Sequence, residues 1–536
     1  MVYVAVRMRR VWTLLVVTGV LMAGASTALA HPERQAYFPD ASKGAVPKYR
    51  HATPPLVVCK RNSRALVRKI FKGRARARTK RSRLRTLKQC HFRHIQSAVN
   101  AAKSNDRIQI MPGVYKEQPS RKVPVDQPAC AGMFETPEDG DATVPTYEHQ
   151  VKCPNSRNLI AVIGDSLADP DRECDQKCNL LIEGMGRRPK DVLIVGDRLK
   201  KDVIRADRAD GFFLRNVWVE QGAFNDVDVV ETNGFRLRKL VLPYGQNYGV
   251  LTFASDHGLY DHIEAFGNGD SGIYPGSGPE GHCKRYGIEI RNVNSHDNVL
   301  GYSGTAGNGT WTHDSTFHDN NAGISDDSFA SGHPGMPQDC SKWTANRVYS
   351  NNRNFFTNDR DTYCKNTPFE KRKREIVCPQ FQVPVGSGFI LYGVNSNLIQ
   401  DNKIYDNWRS GVRLFWVPAT ARGDNDPAHQ FDTSNANRFI DNQLGVRADG
   451  KRAPNGVDFF WDEQGIGNCW LGNQAPGGKV TSDPASLPRC PQGSSFQTSP
   501  NPAKFAAEVP CAAWDPETMP DPPGCTWFTT PPRPPR

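Results

Sequence analysis

Residues 402–412 read NKIYDNWRSGV, and this pattern decides the fold. Asn402 and Asn407 stand five positions apart with an apolar residue between them, and Gly411 follows four positions later, directly before Val412. Asparagine tolerates the left-handed backbone of a sharp corner, and its side chain can hydrogen-bond an equivalent asparagine in a neighbouring segment. The pattern therefore predicts a strand, an asparagine corner, a second strand and a glycine turn.

The same pattern recurs along the chain. NRVYSN begins at Asn346 and NRFIDN at Asn437, and weaker forms begin at Asn292 and Asp314. Phrases that open with glycine recur every 22 to 29 residues, at Gly211, Gly234, Gly258, Gly287 and Gly309. A period of this length is typical of repeat proteins in which each repeat forms one coil. We therefore predict a parallel solenoid whose asparagine corners stack into a ladder.

These repeats resemble those of secreted bacterial right-handed parallel β-helix proteins, the pectin-lyase-like superfamily. Residues 94–117, HIQSAVNAAKSNDRIQIMPGVYKE, resemble the capping helix and first coil of that superfamily. A solenoid needs such a cap because its ends expose strand edges and apolar core. The whole chain also resembles uncharacterised exported actinobacterial members of the group. The resemblance implies an all-β, right-handed parallel β-helix solenoid, with an N-terminal capping helix and a disulfide-stapled C-terminal cap.

Composition divides the chain into five regions. Residues 1–30 have the layout of a secretory signal, with arginines, an apolar run and ALA at 28–30, which predicts cleavage before His31. An uncleaved N-terminal anchor is the alternative. The other regions are a basic, flexible leader (31–90), the N-terminal cap, first coil and a Cys- and Pro-rich insertion (91–190), the β-helix repeats (191–465), and a Cys- and Pro-rich C-terminal cap and tail (466–536).

The chain has 14 cysteines, an even number, which predicts disulfides in an oxidising compartment. Proximity favours the pairs Cys59–Cys90 and Cys469–Cys490. A zinc site is disfavoured because no two Cys-x-x-Cys pairs occur. Together with the signal, the cysteines predict a secreted protein, either free or associated with the cell surface, that does not span a membrane.

The basic charge is concentrated in one segment. The formal net charge is +12, and residues 60–89 hold 14 lysines and arginines and no acidic residue. Such a block is available to a polyanion such as an acidic polysaccharide, a wall polymer or nucleic acid. Nucleic acid is the less favoured partner because no recognition fold accompanies the block. The alternative is a solvated loop without a dedicated partner.

Strand alternation predicts which side chains point outward. Each glycine–apolar step marks the register, so we expect inward side chains at Ile273, Tyr302, Ile324, Phe356, Val412 and Val457. The residues after them should form one outward column, made of Tyr274, Ser303, Ser325, Thr357, Arg413 and Asp458. The next outward column should contain Gly276, Thr305, Asp327, Asp359, Phe415 and Phe460. A slip of one residue would turn both columns inward.

The second column contains the candidate site. Coils stack about 4.8 Å apart, so Asp327 and Asp359 are expected to be neighbouring carboxylates, with Asp326 and Arg360 beside them. Two carboxylates at that separation share a proton, bind a cation or pair with a basic group. The alternative is that Asp326 and Asp327 only form a turn, and that Arg413 pairs with them for stability.

Resemblance to the calcium-dependent polysaccharide lyases of this fold implies roles for these residues. Asp326, Asp327 and Asp359 would hold a calcium ion, which neutralises the uronate. The catalytic residues would be Arg413 as base, Tyr274 as proton donor or sugar contact, and Asp327. Contacts with the substrate are expected from Ser303, Ser325, Arg360, Asp458 and Trp461.

Two other patterns are informative. The stretch SDDSFASGH at 325–333 is similar to the paired aspartates of polygalacturonase-like hydrolases, but His333 follows too closely and the other motifs of that family are missing. The dipeptides Asp261-His262 and His-Asp at 296, 313 and 318 fall at predicted corners, where we expect hydrogen bonding. Metal binding or a general base is the alternative for these histidines.

These observations lead to one expected function and one alternative. We expect an exported β-helix protein that binds an extracellular acidic polysaccharide and, if it is an enzyme, acts as a lyase or C5-epimerase. The alternative is a non-enzymatic surface or matrix protein. The superfamily includes lyases, hydrolases, epimerases and adhesins, so the resemblance does not choose between them.

Overall fold

The computed structural model describes residues 34–49, 54–136, 143–169, 173–329, 332–494, 501–508, 510–511, 514 and 524–535. The predicted secretory signal, residues 1–30, lies outside the described residues.

Two long parallel sheets form the body of the protein. Sheet 1 has nineteen strands: Leu56–Val58, Cys90–Phe92, Arg107–Ile110, Gly113–Tyr115, Leu181–Gly184, Val192–Val195, Phe212–Glu220, Asn233–Pro243, Asp256–Phe266, Ile288–His296, Thr310–His313, Thr316–His318, Lys342–Thr344, Arg347–Tyr349, Leu398–Gln400, Lys403–Tyr405, Arg438–Ile440, Gln443–Leu444 and Cys469–Leu471. Sheet 2 has eleven: Asn158–Ile163, Asp202–Asp207, Asn225–Val230, Tyr248–Phe253, Ser271–Gly276, Leu300–Thr305, Ala322–Asp327, Ser387–Tyr392, Ser410–Phe415, Phe459–Trp461 and Ser482–Asp483.

The chain passes from one sheet to the other in every coil, and the core lies between them. In sheet 2 the inward residues stack in register from coil to coil: Ile273, Tyr302, Ile324, Phe389, Val412 and Phe459. All six belong to one continuous buried cluster. The predicted parallel β-helix is therefore confirmed by the strand pairing itself.

Stacked asparagines hold the corners of the coils. In one ladder the side-chain amide of each residue donates to the amide oxygen of its equivalent in the next coil, at 2.8–3.2 Å: Asn268, Asn298, Asn320, Asn351, Asn407 and Asn455. A second ladder links Asn346, Asn402, Asn442 and Asn473. A third ladder includes Asn397, Asn437 and Asn468. The predicted asparagine ladder is confirmed, and it occurs at three corners.

A glycine column lets neighbouring coils approach closely at the start of the sheet 2 strands. A Cβ on Gly323 would lie 2.6 Å from the carbonyl oxygen of Gly388, and one on Gly388 would lie 2.4 Å from that of Gly411. No side chain fits at these separations. The glycine–apolar steps of the sequence mark these positions.

Helices close the N-terminal end of the solenoid and decorate its sides. The helix Ile95–Ala101 buries Ile95, Ala98 and Val99 against the core, which confirms the capping helix. The other α-helices are Ser63–Ile70, Ala77–Thr86, Gln118–Arg121, Tyr147–Lys152, Pro154–Arg157, Asn358–Asn366 and Pro502–Glu508. No helix in the described part of the chain is both long and apolar enough to cross a membrane.

The basic segment is folded, where the sequence led us to expect a flexible leader. Leu56–Val58 pairs with Arg107–Ile110 in sheet 1, and the helix Ser63–Ile70 buries Val67. The Cys59–Cys90 disulfide closes the segment at its base. The apolar residues spaced along the basic run give it a buried side, which charge counting does not reveal.

Seven disulfides pair all 14 cysteines. The predicted pairs Cys59–Cys90 and Cys469–Cys490 are confirmed, and Cys511–Cys525 provides a second C-terminal staple. Disulfides in this number are typical of proteins that fold in an oxidising compartment.

Candidate functional site

The predicted site lies on the outer face of sheet 2, and that face is covered. Tyr274 is 1% exposed and Asp327 is also 1% exposed. Residues 34–49, which we call the strap, pack Ala36 and Phe38 against Tyr274 and its neighbours. The insertion 353–385 and the C-terminal segment 501–535 pack an apolar cluster onto the later coils.

The predicted register is correct for part of sheet 2 and wrong beyond it. Ile273, Tyr302, Ile324 and Val412 point inward as predicted. Phe356 and Val457 do not occupy the predicted inward positions, which belong to Phe389 and Phe459. The coil after Ile324 is Ser387–Tyr392, because residues 353–385 form an insertion between coils. The sequence SGFILY at 387–392 carries the glycine signal that would have identified this coil.

The outward columns change accordingly. Tyr274, Ser303, Ser325 and Arg413 follow inward residues and point outward as predicted. The places predicted for Thr357 and Asp458 are taken by Ile390 and Phe460. Tyr274 and Arg413 are four coils apart, about 19 Å at the usual spacing. They cannot act on the same sugar residue.

The predicted carboxylate pair does not form. Tyr392, not Asp359, stands next to Asp327 in the following coil. Asp359 is exposed on the helix Asn358–Asn366. Asp326 faces the opposite way from Asp327, toward the core, where burial raises its pKa well above the usual range. Asp326, Asp327 and Asp359 therefore do not fit a calcium ion as a set.

Arg360, Asp458 and Trp461, which were predicted to contact the substrate, make hydrogen bonds within the protein. The Arg360 guanidinium donates to the carbonyl oxygen of Val377 at 2.8 Å, within the insertion. The Asp458 carboxylate accepts from the Thr481 amide and hydroxyl, both at 2.9 Å, and so holds a corner. Trp461 is buried in the core and donates to the Gln464 carbonyl oxygen at 2.9 Å, so its ring cannot stack on a sugar.

Arg413 is locked beneath the C-terminal cap. Its guanidinium pairs with the carboxylate of Glu508, and that carboxylate also accepts from Tyr392 at 3.2 Å and from Trp527 at 2.6 Å. The ring of Phe460 lies 4.6 Å from the guanidinium carbon. The sequence alternative, in which Arg413 serves stability, matches this geometry, although its partner is Glu508 and not the aspartates.

A buried group of titratable side chains lies under the strap. The Tyr274 hydroxyl is 3.1 Å from Nε2 of His333. Burial raises the pKa of Asp327 to about 6 and that of Asp270 to about 8, the latter with a further contribution from the charge of Asp327. With the strap in place, this group is closed to a polymer.

The outer face of sheet 1, which we call the open face, is accessible and basic. Its outward columns hold eight basic side chains: Arg215, Arg236, Arg238, Arg291, Lys342, Arg347, Lys403 and Arg438. They hold five acidic ones: Glu183, Glu220, Asp261, Glu264 and Glu289. The face is therefore positively charged, although the chain outside residues 60–89 carries a net charge of −2.

Asp261 organises the charges at the centre of the open face. Its carboxylate lies 3.0 Å from Nε of Arg238, 3.5 Å from Nε of Arg291 and 3.6 Å from a terminal nitrogen of Arg236. It also lies 2.6 Å from Nδ1 of His262. The arrangement fixes three guanidinium groups and one imidazole around a single carboxylate.

The His-Asp dipeptides are corner residues, as expected. His262, Asp297, Asp314 and Asp319 have left-handed backbone with φ between +48° and +60°. In each dipeptide the histidine Nδ1 lies 2.6–2.7 Å from its neighbour's carboxylate. The imidazole of His262 is 53% exposed, so it is the one most open to a ligand.

An aromatic stack borders the open face. The rings of Phe266, His296, His318, Tyr349 and Tyr405 follow one another at 4.8–5.3 Å, with interplanar angles of 4–19°. The ring faces cover one another and only their edges reach solvent. The stack therefore fixes the coils relative to one another and offers no flat surface for a sugar.

Two groups of potential metal ligands occur in the described residues. In one, Cys283 and Cys340 form a disulfide and are unavailable as thiolates. In the other, Asp424 and Asp432 accept ion pairs from Arg422, and Nδ1 of His429 lies 2.6 Å from Asp424. The single charge of Arg422 compensates only one of the two carboxylates of this second group, and a cation bound there would have to displace that arginine.

No protein-family model matches the chain, and no curated protein matches it. Among solved structures it is similar to the A-module of the mannuronan C-5 epimerase AlgE4 of Azotobacter vinelandii, at 11% identity over 76% of this chain and 95% of that chain, with a TM-score of 0.40. PfbA, a surface adhesin of Streptococcus pneumoniae, is 9% identical over 72% of this chain and 90% of that one (TM-score 0.35), and the pectate lyase Pel9A is 11% identical over 73% and 72% (TM-score 0.31). Likeness at this level carries no argument about chemistry. The strand pairing identifies the chain as a parallel β-helix protein.

Proposed function

We propose that the protein is exported and binds an acidic polysaccharide along the open face. The observation that carries the proposal is the set of guanidinium groups fixed around Asp261, continued by Arg347 and Lys403 on later coils. Seven steps from the coil of Arg215 to that of Arg438, at about 4.8 Å each, give a basic strip about 34 Å long. A row of cations along a rigid sheet favours a repeating anion over a compact neutral ligand.

The alternative site on sheet 2 is less suitable for a polymer. Its predicted residues are buried under the strap, the insertion and the C-terminal segment. A polymer would have to displace an apolar cluster to reach them, whereas the open face needs no rearrangement. Binding on the open face therefore accounts for the charge distribution without a conformational change.

One observation favours a second function, chemical modification of the bound polymer. His262 is held by Asp261 at 2.6 Å, is exposed, and is adjacent to three arginines. An imidazole oriented by a carboxylate is a suitable general base, and arginines can neutralise the carboxylate of a uronate. Removal of the C5 proton would lead to β-elimination if a leaving group departs, or to epimerisation if a proton returns.

Binding is tested with the charge-reversal variant Arg347→Glu/Lys403→Glu. We expect at least tenfold weaker binding of polyuronates, measured by calorimetry, and weaker binding by the native protein as salt is raised. The control Lys371→Glu/Lys373→Glu makes the same charge change on the insertion and should bind like the native protein. Equal binding by both variants would contradict the proposal.

Turnover is tested on the same polymers. Absorbance near 235 nm reports unsaturated ends, and proton NMR reports epimerised residues. We expect His262→Ala to abolish either signal while polymer binding persists. If the native protein binds but gives neither signal, the function is binding alone, as for a surface or matrix protein.

A further inference from the structure

A cavity of about 440 Å³ lies between the basic segment and the first coils. The helix Ala77–Thr86 contributes Ser82, Arg83 and Thr86 to its wall, and sheet 1 contributes the opposite wall. It is the place where the basic segment meets the open face. The cavity is large enough for a monosaccharide with a charged substituent.

The wall of the cavity is strongly cationic. Five basic side chains line it: Arg83, Arg107, Arg187, Arg215 and Lys239. Glu183 is the one carboxylate in this lining, and it is engaged by Nε of Arg107 at 2.7 Å and approached by Arg215 at 3.9 Å. The excess of positive charge is therefore much larger than one carboxylate compensates.

The guanidinium groups are held in place before any ligand arrives. Arg107 and Arg215 lie over the Tyr49 ring, with their guanidinium carbons 5.2 Å and 4.9 Å from its centroid. Nε of Arg83 is buried and has no hydrogen-bond partner among the described residues. A buried donor left unpaired costs free energy that a ligand oxygen would recover.

We propose that this cavity binds a doubly charged oxyanion, the chemistry of a phosphate monoester carried by a sugar. A phosphate monoester has a charge of about −1.5 to −2 at neutral pH and three strong acceptor oxygens. Several guanidinium groups can share those oxygens through paired hydrogen bonds. A single carboxylate would leave most of the positive charge uncompensated. The site shares Arg215 with the basic strip of the open face but does not depend on polymer binding along that face.

The test uses the mature, oxidised protein and calorimetric titration with glucose 6-phosphate. We expect binding that weakens as salt is raised, and at least tenfold weaker binding by Arg83→Gln. The control Arg85→Gln alters an exposed arginine of the same helix that does not line the cavity and should bind like the native protein. Lys239→Gln, at an exposed cavity residue, tests the site without risk to the fold and should weaken binding several-fold.

Other ligands identify the source of the charge. Tight binding of inorganic phosphate would support the oxyanion and show that the sugar adds nothing. Glucose 6-sulfate is a singly charged ester of similar shape, so we expect it to bind more weakly than glucose 6-phosphate, and equal binding would overturn the requirement for a double charge. Glucuronate bound as tightly as glucose 6-phosphate would overturn the requirement for a double charge. The proposal is also overturned if Arg83→Gln and Arg85→Gln bind glucose 6-phosphate equally. Arg347→Glu/Lys403→Glu should keep this binding, which separates a failure here from a failure of polymer binding.

Discussion

The two long faces of the β-helix are built by the same strand alternation and differ in what lies on them. The outer face of sheet 2 carries the strap, the insertion and the C-terminal segment, so its polar residues are buried. The open face of sheet 1 carries charged columns in contact with solvent, except at the first coils, where the basic segment lies over it. The difference shows that, in a solenoid, segments outside the coils decide which face can bind a ligand.

Charge is handled differently on the two faces. On sheet 2, Arg34 of the strap donates two hydrogen bonds of 3.0 Å to Asp207, pairs with Glu231, and has no exposed side-chain surface. Burial alone would raise the pKa of Asp207, but Arg34, Arg205 and Arg208 hold it well below the usual range. On the open face, ion pairs such as Arg238–Asp261 are partly solvated. Buried pairs are costly to break and solvated ones are not.

The largest predicted effect compares one arginine from each face. Arg34→Ala leaves Glu231 buried without its cationic partner and removes one of the three arginines around Asp207, so it should lower the free energy of unfolding by about 3–5 kcal/mol. Arg238→Ala, at a partly exposed pair, should cost no more than about 1 kcal/mol. Chemical denaturation of both variants measures the difference. If both variants lost a similar free energy of unfolding, the strap would not exclude solvent from the outer face of sheet 2.

The second prediction concerns pH. The raised pKa values of Asp270 (about 8) and Asp327 (about 6) mean that the folded protein holds protons that the unfolded chain releases near its ordinary pKa of 3.8. Their stabilising contribution is complete below that pKa and is lost as pH rises through 6 and 8, at up to about 1.4 kcal/mol per pH unit for each group. We therefore expect the denaturant concentration at the unfolding midpoint to decrease as the pH is raised from 5 to 8. Asp270→Asn should flatten the profile, and an unchanged slope would contradict the assignment.

The smallest predicted effect lies in the aromatic stack. Tyr349→Leu keeps an apolar side chain but removes ring contacts with His318 and Tyr405, at 5.0 and 4.8 Å, and should cost about 0.5–1.5 kcal/mol. Tyr37→Leu, on the exposed side of the strap, should change stability by less than about 0.5 kcal/mol. Thermal melting of both variants gives the comparison. If Tyr349→Leu and Tyr37→Leu changed stability equally, the ring contacts of the stack would not contribute to stability.

Much of the fold could be predicted from the sequence because its signals are local. The asparagine pattern at 402–407 and the glycine step at 411–412 each report one corner or turn, and the structure places them as the sequence indicates. The stretch NLIQDN at 397–402 carries the same signal and marks the third ladder. Local hydrogen-bonding chemistry repeats in every coil, so it can be recognised one coil at a time.

The site could not be predicted in the same way because it depends on contacts between distant segments. The burial of Tyr274 follows from residues of the strap, more than 200 positions earlier, and that of Arg413 from Glu508. Strand alternation shows which side chains point inward and which point outward, but it does not show whether another segment covers the outward side chains. The charged columns of the open face could have been found by extending the same alternation to sheet 1, starting from Asp261 and Arg291.

The asparagine ladders also bear on how such a molecule can acquire new parts. Successive members of one ladder are separated by 30, 22, 31, 56 and 48 residues, yet each pair makes the same hydrogen bond. The 56-residue step contains the whole insertion 353–385 without any change in coil stacking. The asparagine hydrogen bonds therefore keep the coils stacked whatever the length of the segment inserted between two corners. A domain grafted onto this scaffold is best placed between two ladder asparagines, because the protein already holds the insertion 353–385 at such a position.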